Sequence, residues 1–430
     1  MTMTAPVQPT DAPPDAVRAA DFIDVDLSAN AIFEAGVPHD AFETLRREAP
    51  VAWHHETPPP IAGTNFLPSP GFWAVTSHAL VTEVSRTPAL FSSWLGGVFL
   101  PTGAPPTIMT FRQMMLNMDP PEHSRLRRIL QPIFTPRAVT RLHESVVRNA
   151  NDIVDEIAGD GGCDLVTSVS GEMPVRVLAD LLGMPREDRH LIFDWSNKLI
   201  GIEDPEYGGD LNEALGAAAE LFAYGKTIAD ARRAIPTDDL ISLIANAEVD
   251  AERLTDVEFA MFWLLLIIAG NETTRNSLSG GIIALLEHDR WDWIRDRPDA
   301  MPLAVEELVR HVSPVIQFRR TATQDTTLGG QHIRAGDKVV VWYSSANRDS
   351  DVFDDPHGLD LTREPNPHVA FGIGPHFCLG AHLARLELST ILGVMLQRLG
   401  NLEISGPVER VRSNFISGIR HLPVTYHAIA

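Results

Sequence analysis

The sequence predicts a mainly α fold with small β-sheets, built as one domain. Apolar residues recur at helical spacing over Asp40–Glu48, Ala138–Ile157, Leu211–Arg233, Asp256–Glu287 and Gly380–Leu399. Strand signals are few and short. No internal repeat is present, and no linker-like stretch divides the chain after about residue 30, so residues 30–430 are expected to form a single domain behind a disordered 1–29 tail.

The opening stretch Met1–Ala20 is rich in Pro, Ala, Thr and Asp and has neither the basic start nor the apolar run of a signal peptide. Val51–His54 and Phe72–Val75 read as strands. Between them, Glu56–Gly71 carries Pro58, Pro59, Pro60, Pro68 and Pro70 and is expected to be an extended loop at a surface mouth. The apolar run Phe259–Gly270 spans twelve residues, short of the roughly 20 needed to cross a membrane, and reads as a buried core helix. Gly336 and Asp337 separate Gln331–Arg334 from Lys338–Tyr343, which suggests a hairpin.

With 430 residues, 44% of them hydrophobic, the chain can bury a large core. Its two cysteines, Cys163 and Cys378, cannot build a disulfide framework, and a bridge between them would consume any thiolate ligand; a reducing cytoplasm is therefore expected. The net charge of -22 opposes nucleic acid or anionic membrane as a general partner, and no stable membrane insertion is expected.

Chemistry concentrates in Phe371-Gly372-Ile373-Gly374-Pro375-His376-Phe377-Cys378-Leu379-Gly380, followed at once by a helical pattern. A cysteine at a helix start has N–H groups and the positive end of the helix dipole beside it, which favours the thiolate that metals bind. Gly372, Gly374 and Gly380 permit positive φ or the close approach of a flat macrocycle. Cys163, in Gly161-Gly162-Cys163-Asp164, has no such surroundings and reads as structural. A second polar interruption, Ala269-Gly270-Asn271-Glu272-Thr273-Thr274, closes the apolar run; a Thr273 hydroxyl bonding the Ala269 carbonyl would loosen the helix there.

The first segment matches F-x-x-G-x-H-x-C-x-G without a gap, and on it the chain resembles the cytochromes P450. The resemblance implies a single-domain cytochrome P450 fold enclosing a b-type haem (heme b, iron protoporphyrin IX), with Cys378 as the metal ligand and Phe371 and Gly380 against the cofactor. It implies that Thr273 orients protons and water where dioxygen binds while Glu272 helps deliver them. It further implies that His123 and Arg127, spaced H-x-x-x-R, together with Arg320 and His376 meet the haem propionates. Glu307 and Arg310, three apart on one helix face, with Arg363 match the family's Glu-Arg-Arg set and read as a structural ion-pair network. Between His123 and Arg148 lie six arginines and one acid, Glu144; in the family this region is where the electron donor docks, which suggests an acidic ferredoxin fed by a ferredoxin reductase.

The activity so implied is insertion of one oxygen atom from O2 into a C–H bond, with electrons from NAD(P)H. By family position Ser93–Met118 covers the substrate, and its sole charge is Arg112. Phe262, Leu265, Leu266, Ala269, Val315, Ile316, Phe415 and Ile416 would complete an apolar pocket. Leu264–Asn276, Trp342–Asp349 and Gly418–Val424 look most like bacterial members that hydroxylate branched-chain lipids, terpenoids and sterol side chains, a likeness spanning about residues 30–430. Two other classes are possible: a haem-binding sensor or carrier, which would not need Glu272 and Thr273, and a peroxide-driven enzyme, which would not need the arginine-rich face.

Overall fold

Thr255 and Glu258 fix the start of the longest helix. The Thr255 hydroxyl accepts from the Glu258 N–H, and the Glu258 carboxylate accepts from the Thr255 N–H. In the computed structural model, which describes residues 12–57, 66–67, 69–103, 109–110, 112–200, 204, 206, 211–249 and 252–429, this central helix runs Asp256–Glu287. Its apolar side chains point in all directions, the pattern of a helix packed around its circumference. Glu172–Leu182, Arg189–Ile200, Leu211–Ala234, Met301–Val312 and Ala381–Arg398 pack against it. By length and composition it could cross a membrane, yet half of its apolar window is buried inside the fold. Asn271, Glu272, Arg275 and Asn276 are buried in its middle, so the expected core helix is present with a polar interior.

A five-stranded sheet lies beside the helices, in the order Val51–His55, Gly71–Val75, Lys338–Trp342, Gln317–Ala322 and Phe91–Ser92. Lys338–Trp342 is its hinge: parallel to Gly71–Val75 and antiparallel to Gln317–Ala322. All five of its residues are buried, as a strand covered on both faces requires.

Several expectations need correction. The hairpin across Gly336-Asp337 does not form. Gln331–Ile333 instead pairs with Thr326–Leu328 around Gly329 and Gly330, both at positive φ, the backbone a two-residue hairpin turn demands. Asp337 accepts from the Arg334 N–H at 2.9 Å and the Trp73 indole at 3.0 Å, turning the chain into the larger sheet. Ala138–Ile157 divides into Pro136–Thr140 and His143–Ile157, a break that no proline or glycine marks. Residues 12–29, expected within a disordered tail, belong to the fold: Ala19 and Leu27 are buried, and the Trp53 N–H donates to the Val17 carbonyl at 2.7 Å. Val17, Phe22, Ile23, Val25 and Leu27 are interrupted by Asp21, Asp24 and Asp26 and hold neither a helical nor a strand period for long; residues 1–11 lie outside the described residues. Of the proline-rich loop, Phe66–Leu67 pairs with Thr102–Gly103, and 58–65 and 68 lie outside the described residues.

Candidate active site

Two glycines shape the cysteine loop. Gly372 and Gly374 have φ of 69° and 77°, and a Cβ on Gly374 would meet the Ser85 carbonyl oxygen at 2.6 Å. The loop closes where the Cys378 N–H donates to the Phe371 carbonyl at 2.8 Å, and the helix Ala381–Arg398 follows. Burial inside the fold pushes the Cys378 thiol up, while the Gly380 N–H, Arg127 and Arg385 pull it down. The thiol itself is exposed to the cavity. Cys163 sits on a short strand opposite Val424, half-buried and likewise raised by burial.

Cys378 opens into a cavity of about 570 Å³ between this loop and the central helix, whose Ala269, Gly270, Glu272 and Thr273 form the facing wall. Leu265, Leu266, Val315, Phe415 and Ile416 line it as expected, together with Phe99, Leu100, Met114, Met115 and Leu116. Phe262 and Ile316 are not among the lining residues; Phe262 packs in the helical core and Ile316 against Val340 and Trp342 of the sheet cluster. Arg112, the one charge of the covering loop, is turned onto the Trp94 and Leu95 carbonyls at 2.7 and 3.0 Å. Ile108 and Phe111 lie outside the described residues.

Three elements bring the expected donors together: the helix Glu122–Leu130 carries His123 and Arg127, the strand Gln317–Ala322 carries Arg320, and the cysteine loop carries His376. The His123 and His376 rings are 4.3 Å apart. Burial, then Arg127 and Arg320, hold His123 at about 4; burial, then Arg320, His123 and Arg127, hold His376 well below its ordinary value. The Arg127 Nη2 donates to the Phe377 carbonyl at 2.7 Å and the Arg320 Nη1 to the Arg319 carbonyl at 2.8 Å; neither guanidinium forms an ion pair among the described residues. His123 Nδ1 is buried without a partner. A partly buried cluster of donors with no ion-pair partner among the described residues fits a group bearing carboxylates. A Cβ on Gly380 would find no protein atom within 4 Å, so the loop leaves open space on that side. Thiol, donor cluster and bare glycine together fit a haem.

On the facing wall the Thr273 Oγ1 donates to the Ala269 carbonyl at 2.8 Å, as expected. Glu272 lies beside it, but is not alone: Arg275 Nη2 meets its Oε2 at 2.5 Å, and Arg275 Nη1 donates to Asn197 Oδ1 at 2.7 Å. Burial raises the Glu272 pKa against the pull of Arg275 and Asn276. Sequence reasoning missed Arg275, although Glu272-x-x-Arg275 repeats the spacing of Glu307-x-x-Arg310. It also missed Glu387, a buried cavity-lining acid raised by desolvation, which nothing in its helical pattern distinguishes.

The Glu307 network forms as expected. Arg310 binds both Glu307 oxygens at 2.7 Å and Arg363 Nε reaches Oε2 at 3.0 Å, all buried. A second network was not foreseen: Glu306 accepts from Arg385 and His368, and the Arg385 guanidinium lies 4.5 Å from the Phe371 ring centroid. It ties the cysteine loop to the following helix.

Known proteins agree with this geometry. A steroid C26-monooxygenase of Mycobacterium tuberculosis is 41% identical over 407 residues, 93% of this chain and 92% of the relative. A methyl-branched lipid omega-hydroxylase of the same organism is 41% identical over 394 residues, 90% of each chain. A cytochrome P450 of Mycobacterium marinum, solved in complex with pseudoionone, superposes with a TM-score of 0.87 at 42% identity, over 94% of this chain and 99% of that one. Residues 299–411 match the family model described as Cytochrome P450. With a cysteine loop and a helix notch facing each other across one cavity, and relatives alike over nine-tenths of its length, the chain belongs to the cytochrome P450 family and is a haem-dependent monooxygenase.

Proposed function

We propose that the enzyme inserts one atom of O2 into a C–H bond of a methyl-branched lipid, terpenoid or steroid side chain. The observation that carries this reading is the apolar wall of the cavity away from the cysteine loop, formed by Phe99, Leu100, Met114, Met115, Leu265, Leu266, Val315, Phe415 and Ile416. Apolar walls with few polar groups select such substrates by burial and shape. The names of the mycobacterial relatives, one acting on steroids and one on methyl-branched lipids, support the same class.

The cofactor in this reading is haem b, ligated by Cys378, with Phe371 and Gly380 against it and His123, Arg127, Arg320 and His376 donating to its carboxylates. When bound, it supplies reductive activation of O2. Thr273 positions the proton and water on the distal side, and Glu272 passes protons from solvent to that point. The apolar wall holds the substrate and keeps bulk water out.

Electrons arrive, in this reading, from NAD(P)H through a ferredoxin reductase and an acidic ferredoxin in the cytoplasm. The supporting face is narrower than the sequence suggests. Arg125 is paired with Glu258 at 2.8 Å, and Arg127 turns to the cysteine loop. Arg128, Arg137, Arg141 and Arg148 remain exposed. The helix bearing Arg128 reaches the Phe377 carbonyl, next to Cys378, through Arg127, so this face lies close to the expected ligand.

The test is a spectral titration of purified holoenzyme with methyl-branched lipids, terpenoids, steroids, sugars and small cations. Ligands that displace water from the metal shift the Soret band. The apolar compounds are expected to do so; a preference for sugars or compact cations would overturn the reading.

A further inference from the structure

Outside the cluster beside Cys378, one cavity-lining arginine has no ion-pair partner among the described residues. Arg412 lies between the strands Glu409–Arg410 and Ile419–His421, in a run whose residues from Arg412 to Ile416 all face the cavity. Its surroundings are fixed. Asn414 Nδ2 donates to the Ser28 carbonyl at 2.9 Å, and the Asn414 N–H donates to Asn30 Oδ1 at 2.8 Å. Ser413 Oγ accepts from the N–H groups of Phe415 and Ile416, each at 3.1 Å. Ser28 and Asn30 also line the cavity, so the run next to Arg412 in sequence is pinned by polar contacts.

The acid that touches its backbone is already occupied. Asp204 Oδ2 accepts from the backbone N–H of Arg412 at 3.2 Å, but the Asp204 carboxylate is bound by Arg420 Nη1 at 2.8 and 3.0 Å. The Arg412 side chain forms no ion pair among the described residues, and its Nε is buried without a partner. The cavity's other cations belong to the cluster beside Cys378. Arg412 comes from different elements, and the aromatic wall of Phe415, Phe99 and Phe318, with centroids 5.0 and 5.6 Å from Phe415, continues from it.

A planar guanidinium that is partly desolvated and unpaired matches a carboxylate in both charge and shape. We propose that Arg412 binds the carboxylate of an acidic lipid, whose hydrocarbon tail runs along Phe99, Phe415 and Leu265 toward Thr273 and Cys378. This rests on the apolar-substrate reading and narrows it: the preferred substrates are carboxylic acids, oxidised at the end remote from the acid.

The probes are isostearic acid and its methyl ester, which share a branched tail and differ in charge, titrated into holoenzyme by the Soret shift above the pKa of the acid. The native enzyme is expected to bind the acid about 10- to 100-fold more tightly than the ester. Arg412→Gln should abolish that preference while leaving ester affinity near native, and Arg412→Lys should keep part of it. Products of the acid should spread from the terminal carbons inward in Arg412→Gln. Equal affinity of the native enzyme for acid and ester, or equal weakening of both by Arg412→Gln, overturns the proposal and leaves the apolar-substrate reading standing. A native enzyme whose Soret band responds to neither probe nor to any steroid overturns the substrate reading and the carboxylate anchor with it. The reduced carbon monoxide spectrum of each variant separates these outcomes from loss of haem.

Discussion

Glu272 and Arg275 form a 2.5 Å ion pair inside the central helix, with side chains 3% and 1% exposed. Swinging Glu272 away would leave a buried guanidinium without its acid, and an unpaired buried charge costs about 3–5 kcal/mol. Asn197 still holds Arg275 at 2.7 Å, and Glu272 Oε1 is buried with no partner among the described residues, so one oxygen is committed to Arg275 and the other is not. Arg275→Met should therefore destabilise the fold by about 3–5 kcal/mol, whereas Glu272→Gln with Arg275→Met should recover much of the loss. Thermal unfolding of the two single variants and the double variant measures the coupling; simple additivity would mean that the pair contributes nothing.

Cys378→Ala should remove the thiolate-type spectrum of the reduced carbon monoxide complex, while Cys163→Ala leaves it intact. The difference follows from position. Cys378 opens into the cavity beside the donor cluster, whereas Cys163 is held in a strand against Val424. A thiolate spectrum that survives in Cys378→Ala would end the assignment of this residue as ligand.

Reversing Arg128 and Arg137 to Glu should slow reduction by an acidic ferredoxin, and added salt should slow the native enzyme likewise. Both residues are exposed on a chain of net charge -22, so a local reversal removes much of the attraction. Stopped-flow reduction at low ionic strength checks this; unchanged rates would place docking on another face.

Glu306 supplies a pH dependence. Its burial alone would raise the carboxyl, but hydrogen bonds from Arg385 and His368 prevail and hold it at about 2, below the ordinary 4.5. A depressed native pKa means that the unfolded chain binds the proton first. The stabilisation is therefore complete above about pH 5 and is lost as pH falls through the native value. Glu306→Gln should cost about 1–3 kcal/mol at neutral pH, and its melting temperature should converge on the native one near pH 2–3. A gap that stays constant across that window would rule out this linkage.

Legibility in the sequence followed the range of the interactions. The boundaries of the central helix were readable because Thr255, Glu258 and the apolar run act locally. The Cys378 loop was readable because its glycines, histidine and cysteine lie within ten residues. The hairpin was misread because Lys338–Trp342 finds its partners 17 to 25 and 266 residues away, in Gln317–Ala322 and Gly71–Val75, and no local period reports that choice. Arg112 was visible as a charge in an apolar loop, but its turn onto the Trp94 and Leu95 carbonyls was not. The uncompensated state of Arg412 likewise depends on Arg420 having taken Asp204.

Thr273→Ala should keep haem and substrate binding but uncouple electron use from product. Productive turnover consumes two electrons, two protons and O2 to give hydroxylated product and water; with the same electrons and protons, unproductive turnover gives hydrogen peroxide. The outcome depends on where the second proton is delivered. Thr273 lines the cavity on the wall facing Cys378, with its hydroxyl donating to the Ala269 carbonyl at 2.8 Å, so its oxygen is held in one place and can accept a hydrogen bond there. Alanine keeps the helix but removes that oxygen, whereas serine restores it at a small steric cost. Thr273→Ser should thus stay better coupled than Thr273→Ala. Glu272→Gln should fail differently, because it removes an ionisable group and leaves the hydroxyl. Turnover should slow, with positioned proton transfer generally worth about 10²- to 10⁴-fold, while peroxide leakage stays below that of the alanine variant. Product formed and peroxide released per NAD(P)H consumed distinguish the cases. If Thr273→Ala couples as tightly as the native enzyme on a good substrate, the hydroxyl serves only to loosen the helix at Ala269 and has no part in directing protons.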